Sequence, residues 1–362
     1  MSGPRVWRIG VLGTGAMSAT MMECLADNPR VAVAAVASAD AARARAFATR
    51  FGIAESHASA AELFDRGDID AVYIATATRD HAGHAIAALE AGKSVLCEKP
   101  FAISAEQGAR VVEAARRCQR LFMEAQWTTA LPAYRELLRH ARTHSLGEPV
   151  VLHSEFGIAL DPGSHRRLFE GEGAGVLLDF GVYPLVLALQ VMGPVRAVHA
   201  ALRRNAAGVD VHATLQLEHV DGGHSQLAAS LVATLPNRTT LSCSQGNLQL
   251  ASPVMGAEDL RGRVTAPVRA STGEEGGTKG KLLAALRRQR WVRHLRGALV
   301  RERASRHSFG TNRYAPQLDH FVALLDAGSL DSDLMPQATS IDVLRIIDAA
   351  RLAQDTVIAP DS

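Results

Sequence analysis

Cysteine is scarce in these 362 residues: Cys24, Cys97, Cys118 and Cys243 lie far apart, and no two share C-x-x-C spacing. A disulfide or zinc framework needs paired thiols, so the four read as reduced thiols of a cytoplasmic protein with no metal site. No apolar run reaches the roughly 20 residues that span a bilayer. The first apolar run is broken by glycines and followed by no cleavage site, so no signal peptide is expected. A net charge of +2 is too small for general affinity to nucleic acid, and aromatics, at 5%, are too sparse for a base-stacking face. What remains is a soluble globular balance, 47% hydrophobic and 21% charged, in a chain long enough for two domains.

The stretch Arg8 to Ser18 (RIGVLGTGAMS) organises the first half. An apolar run ends in Gly13-Thr14-Gly15, and a helix-compatible run opens at Ala16-Met17. Strand, tight turn and helix form the context of a dinucleotide-binding turn: Gly13 permits the turn, Gly15 admits a pyrophosphate, and the helix N-terminus offers free N–H groups and a positive dipole end. Ser18 replaces the third glycine of that motif. An ordinary glycine-rich turn is the alternative reading of this stretch taken alone.

The pattern that follows favours the first reading. Apolar runs at Val31–Ala37, Ala71–Thr76, Ser94–Cys97 and Leu121–Ala125 alternate with helical stretches. Five such β–α alternations predict a doubly wound parallel sheet over residues 1–125, with ligands beyond the carboxyl ends of the strands. Gly13, Ser38, Ala75-Thr76 and Glu98-Lys99 all fall at those ends and should converge there, with His81 opening the next helix. No acid stands at the end of the second strand, where one would bind the ribose 2′-hydroxyl; Ser38-Ala39-Asp40 leans towards NADP over NAD, with Asp40 read equally well as a helix cap.

Residues 126–362 change character. A helix over Leu131–Arg142 precedes strand-like runs at Val150–Phe156, Val195–Leu202, Val211–Leu217, Gln226–Leu235 and Thr239–Cys243, several alternating apolar with polar. They predict an α+β domain on an open, mostly antiparallel sheet. An uncovered apolar sheet face would favour a homodimer or higher homo-oligomer. Residues 256–312 read as an insertion, strongly basic from Lys279 to His307 with Glu302 its one acid. It is either a solvated insertion or a contact for an anionic surface, and a single continuous amphipathic helix is not supported there. Helices near Gln317–Leu325 and Thr339–Gln354 close the chain.

Two clusters can carry chemistry. Glu98-Lys99-Pro100 puts a cation at a strand end beside the expected nicotinamide. Within Gly173 to Pro184 (GAGVLLDFGVYP), Asp179 and Tyr183 stand four residues apart, on one face of a helix. Hydride transfer at an alcohol carbon needs a group to move the hydroxyl proton, and a nearby cation such as Lys99 would lower the tyrosine's pKa for that task. From spacing alone, a half-buried aromatic and a first-turn carboxylate explain these two residues as well.

The GTGAMS turn, AVYIAT with His81, EAGKSVLCEKP and GAGVLLDFGVYP together resemble the Gfo/Idh/MocA oxidoreductases, over nearly the whole chain. Tyr at position 183, where most members carry His, resembles the branch of dihydrodiol and D-xylose dehydrogenases. The resemblance implies a Rossmann domain followed by an α+β domain, and an NAD(P)-dependent dehydrogenase of sugars or cyclic vicinal diols. It implies Lys99 and Tyr183 as the proton-transfer pair assisted by Asp179, with Trp127, Arg167 and Phe169 near the substrate. The chain departs from the family at Ala39, Ala77-Thr78 and Thr129, and the stretch 279–307 has no recognised counterpart. A dinucleotide-binding sensor without turnover, and a sugar dehydrogenase held at a membrane surface for glycan synthesis, are the competing readings.

Overall fold

The computed structural model describes residues 4–265 and 302–352. In the first sheet, β1 (Trp7–Leu12) pairs in parallel with β2 (Val31–Ala37) on one side and β4 (Ala71–Ile74) on the other. β5 (Ser94–Glu98) and β6 (Phe122–Ala125) continue beyond β4, and the two-residue β3 (Ser56–His57) lines the far edge of β2. The order β3-β2-β1-β4-β5-β6 is that of a doubly wound dinucleotide fold. β3 is too short to leave a periodic signal, so the sequence shows only its five partners. The central strands are mainly apolar because helices cover both faces, and Val11, Val36, Val72 and Val95 are fully buried.

Local chemistry sets the helix ends. α1 (Ala16–Asp27) starts at Gly15 with no side-chain cap. α2 (Ala41–Phe51) is capped by Asp40, whose carboxylate accepts the N–H groups of Ala42 and Arg43 at 2.9 and 3.0 Å. After α3 (Ala60–Phe64) and α4 (His81–Glu90), Ser104 caps α5 (Ala105–Cys118).

Past α6 (Pro132–Arg142) the second sheet assembles around β7 (Pro149–Gly157). A one-turn helix α7 (Arg166–Phe169) and the long α8 (Val182–Met192) come next. They are followed by β8 (Val195–Arg204), β9 (Asp210–His219), β10 (His224–Ser230), β11 (Thr239–Cys243) and β12 (Gly246–Leu250). β13 (Asp259–Val264) and β14 (Glu302–Arg306) finish the edge, giving the order β14-β13-β12-β11-β7-β10-β9-β8. Every pairing is antiparallel except β7 with β10.

Three expectations change here. The run Gln226–Leu235 is strand only to Ser230, because the Ser230 hydroxyl accepts the N–H groups of Val232 and Ala233 and turns the chain away. The flanks of the expected insertion 256–312 are two paired edge strands of the sheet; the remainder, 266–301, including most of the basic stretch from Lys279, lies outside the described residues. The open sheet face is not apolar: Leu152, Leu215, Leu217 and Leu227 point inward, while His153, Thr214, Gln216, His224 and Gln226 alternate with them and face outward. Among the described residues this face is mixed, so its apolarity gives no ground for a homo-oligomer.

The last helices, α9 (Ala315–Ala327) and α10 (Gln337–Leu352), return to the parallel sheet. Asp326 of α9 takes hydrogen bonds from Trp7 and Arg30, and Gln337 of α10 donates to the carbonyl of Phe122. No helix among the described residues is long and apolar enough to cross a membrane.

Candidate active site

The site forms where the parallel strands end. Leu12 is level with Ala37 on β2 and Ile74 on β4, and Ile74 is level with Cys97 on β5. Gly13, Ser38, Thr76 and Lys99 consequently leave the sheet at one edge, where β2 and β4 flank β1 on opposite sides.

The β1–α1 turn fits a pyrophosphate. Gly13 has φ +107°, and a Cβ there would collide with the carbonyl oxygen of Ala75. Around Gly15 the space is open, and a Cβ would touch nothing within 4 Å. The Thr14 hydroxyl is buried without a partner among the described residues, and the first N–H groups of α1 have no side-chain acceptor. Ala16 is exposed and Met17 half-buried beside them. Ser18 is buried with its hydroxyl unpartnered, so it fills the third-glycine position by size alone. Asp40 accepts both capping bonds through Oδ1, so the acid nearest the end of β2 serves as the helix cap.

His81 lies beneath this surface. It is 2% exposed, with Nδ1 2.8 Å from the carbonyl of Pro100 and Nε2 3.2 Å from that of Thr76. It therefore ties two strand-end loops together, and burial lowers its pKa. Glu98 is buried too: its Oε1 accepts the Tyr73 hydroxyl at 2.8 Å, and burial raises its pKa. Both residues brace the strand-end loops from behind.

Lys99 and Asp179 meet across 80 residues of sequence. Lys99 Nζ donates to Asp179 Oδ1 at 2.8 Å and to the Asp179 carbonyl at 2.9 Å. The same ammonium lies 4.9 Å from the centre of the Tyr183 ring. Burial opposes the Lys99 charge, but Asp179, Tyr183 and Glu98 outweigh it and push the pKa up. Burial likewise opposes the Asp179 charge, and Lys99 with Arg167 holds its pKa down. The pair is a salt bridge at neutral pH.

Asp179 and Tyr183 stand on one continuous helical segment, but its start is widened: Leu177–Gly181 is a π turn that runs straight into α8. Tyr183 packs edge-on against Phe156 and Trp127, and its oxygen accepts Trp127 Nε1 at 3.4 Å. Its pKa departs from expectation. Burial pushes the phenol up to about 12, and the lowering by Lys99 and by the Trp127 hydrogen bond only partly offsets this.

Of the three residues expected near the substrate, Trp127 lines the site through Tyr183. Arg167 is exposed and acts on Asp179. Phe169 is 4% exposed and belongs to the core. Several supports carry no local signal in the sequence. Asp210 accepts the Leu177 N–H at 2.9 Å and pairs with Arg351 at 2.7 Å, and a Cβ at Gly175 (φ +119°) would strike both side chains. Glu124 takes the Ser340 hydroxyl at 2.7 Å and the Phe101 N–H at 3.3 Å. Among the described residues, no group of three or more His, Cys, Asp or Glu side chains could hold a metal ion.

A pyrophosphate turn next to a Lys–Asp–Tyr cluster at one sheet edge defines a class: oxidoreductases that use a nicotinamide dinucleotide. Within it, this chain belongs to the Gfo/Idh/MocA family. Residues 7–126 match the oxidoreductase family's NAD-binding Rossmann fold, and residues 134–249 match the GFO/IDH/MocA C-terminal domain. The chain is similar to trans-1,2-dihydrobenzene-1,2-diol dehydrogenase from Bos taurus, 34% identical over 257 residues, which are 70% of this chain and 76% of that one. The Homo sapiens protein of the same name is 31% identical, over 68% and 75%. Among solved structures, an aldose-aldose oxidoreductase from Caulobacter crescentus superposes with TM-score 0.79 at 19% identity, covering 96% of each chain. A 3-ketoreductase from Actinomadura kijaniata, solved with NADP and TDP-benzene, does so with TM-score 0.76 at 23% identity, covering 96% and 97%. The protein is an NAD(P)-dependent oxidoreductase.

Proposed function

We propose that the protein moves a hydride between NADP and a CH–OH carbon of a sugar or a cyclic vicinal diol, with Tyr183 moving the hydroxyl proton. The observation that carries this reading is the convergence of the Tyr183 phenol with the Lys99–Asp179 pair at the carboxyl end of β5. The relatives described above are dihydrodiol dehydrogenases, and the fold neighbours are an aldose-aldose oxidoreductase and a 3-ketoreductase. The nicotinamide supplies the hydride chemistry. The chain's own residues position the substrate and hold or accept one proton.

With its pKa near 12, Tyr183 is protonated at neutral pH. In the reductive direction it gives that proton to the carbonyl oxygen as the carbon receives the hydride. In the oxidative direction the phenolate takes the alcohol proton. Lys99 remains an ammonium, so its part is electrostatic: it stabilises the phenolate, and Asp179 fixes its position. The end of β2 carries Ser38-Ala39 ahead of the capping Asp40, with Arg43 following, and this supports NADP over NAD. The polar outer face of the second sheet supports, at most, a hydrogen-bonded contact between copies.

Tyr183→Phe tests the assignment. It should lower turnover at least a hundredfold while NADPH still binds, as followed by fluorescence titration. Full turnover in that variant would remove Tyr183 from the reaction.

A further inference from the structure

We propose that Arg313 recognises an anionic substituent of the substrate, a carboxylate or a phosphate ester, several bonds from the carbon that reacts at Tyr183. The proposal rests on the reading of Tyr183 given above and adds the class of substrate.

Arg313 lies between β14 and α9, distant in sequence from every residue of the Lys–Asp–Tyr cluster. Its guanidinium carbon is 5.8 Å from the centre of the Trp127 ring. The Nε1 edge of that same indole is 3.4 Å from the Tyr183 oxygen. One indole therefore separates the guanidinium from the reacting hydroxyl, about the span of a sugar ring.

The guanidinium is exposed and is bordered by the aromatic cluster and by bare backbone. Tyr314, the next residue, packs its ring 5.0 Å from Trp127. Gly256, at φ +90°, brings bare backbone against the pair: a Cβ there would lie 3.3 Å from Arg313 Nη1 and 3.9 Å from Trp127 Cη2. At 5.8 Å the guanidinium is within cation–π reach of the indole, which biases its position and leaves its N–H groups free.

Charge points the same way. Lys99 and Asp179 neutralise each other at 2.8 Å, and Glu98 is turned inward to Tyr73. Arg313 has no carboxylate within ion-pairing distance among the described residues, and the same holds for Arg167 on the Asp179 side. The Lys99–Asp179 pair is therefore neutral as a unit, and the Arg313 charge is not cancelled by an ion pair among the described residues. A guanidinium fork matches a carboxylate or a phosphate with two parallel hydrogen bonds, and neutral hydroxyls use that geometry poorly.

The test measures binding to the NADPH complex of the full chain, so it does not depend on turnover. D-glucose, D-glucuronate and D-glucose 6-phosphate are titrated against wild type, Arg313→Gln and Arg313→Lys. At least one acidic probe should bind wild type about 10- to 100-fold more tightly than glucose. Arg313→Gln should erase that advantage, Arg313→Lys should keep part of it, and NADPH affinity and Tm should stay unchanged in both. Preference for glucuronate assigns a carboxylate, and preference for glucose 6-phosphate a phosphate ester. Equal or weaker binding of both acids than of glucose overturns the proposal, as does an advantage that survives in Arg313→Gln. Failure of the underlying reading looks different: acids would bind through Arg313 while Tyr183→Phe kept full turnover.

Discussion

Asp210 and Arg351 meet at 2.7 Å directly behind the turn that launches the Tyr183 helix. The Asp210 side chain is 3% exposed and also accepts the Leu177 N–H, while Arg351 reaches on to the carbonyl of Ala174. One strand start and the last helix thus fix the segment from which Asp179 and Tyr183 project. Removing one partner of a buried pair leaves the other charge uncompensated, which costs about 3–5 kcal/mol. Asp210→Ala should lose that much in denaturant unfolding, and turnover should fall even where the variant is fully folded. A loss below about 1 kcal/mol would reduce the pair to a surface-like contact.

Glu124 gives stability a pH dependence of definite sign. Burial pushes its carboxyl to about 7 from an ordinary 4.5, against the opposing hydrogen bonds from Ser340 and Phe101. Between those values the folded chain keeps a proton that the unfolded chain has released, so stability falls as pH rises through that window. The full effect is at most about 3 kcal/mol. Glu124→Gln cannot ionise and should lose less stability than wild type between pH 5 and 8. Parallel curves for the two proteins would contradict this placement of the carboxyl.

The phenol of Tyr183 sets the pH dependence of catalysis. Since its pKa stands near 12, kcat/KM for oxidation should rise about tenfold per pH unit up to at least pH 9. The reductive kcat/KM should stay flat across the same range. Lys99→Met removes the cation that pulls the phenol down, so its alkaline limb should move higher still. An oxidative plateau near neutrality would identify a different base.

Cofactor choice should answer to the end of β2. Ala39→Arg adds a guanidinium next to Ser38, where the 2′-phosphate of NADP would lie. The ratio of NADPH to NADH affinity should increase about tenfold, read by fluorescence titration. An unchanged ratio would place the adenosine ribose elsewhere.

Most of the first sheet was legible because a strand buried on both faces writes itself as an uninterrupted apolar run, as Val31–Ala37 does. The convergence of Gly13, Thr76 and Lys99 followed from strand ends alone. The tyrosine's pKa did not follow: a sequence shows the cation near Tyr183 but not the burial that outweighs it. Contacts such as Glu124 with Ser340 and Trp127 with Arg313 join positions nearly two hundred or more residues apart in polar or mixed segments. No periodicity marks them. β12 to β14 were missed because Gly246, Gly262 and the charged residues around them blur the alternation on which a strand reading depends.

The pairing of β13 with β14 brings Arg263 level with Glu302. The chain leaves the sheet and re-enters it at adjacent rungs, so the spacing of those two points is set without regard to how much polypeptide lies between them. Closure of that edge needs no more than a two-residue reverse turn directly between Arg263 and Glu302.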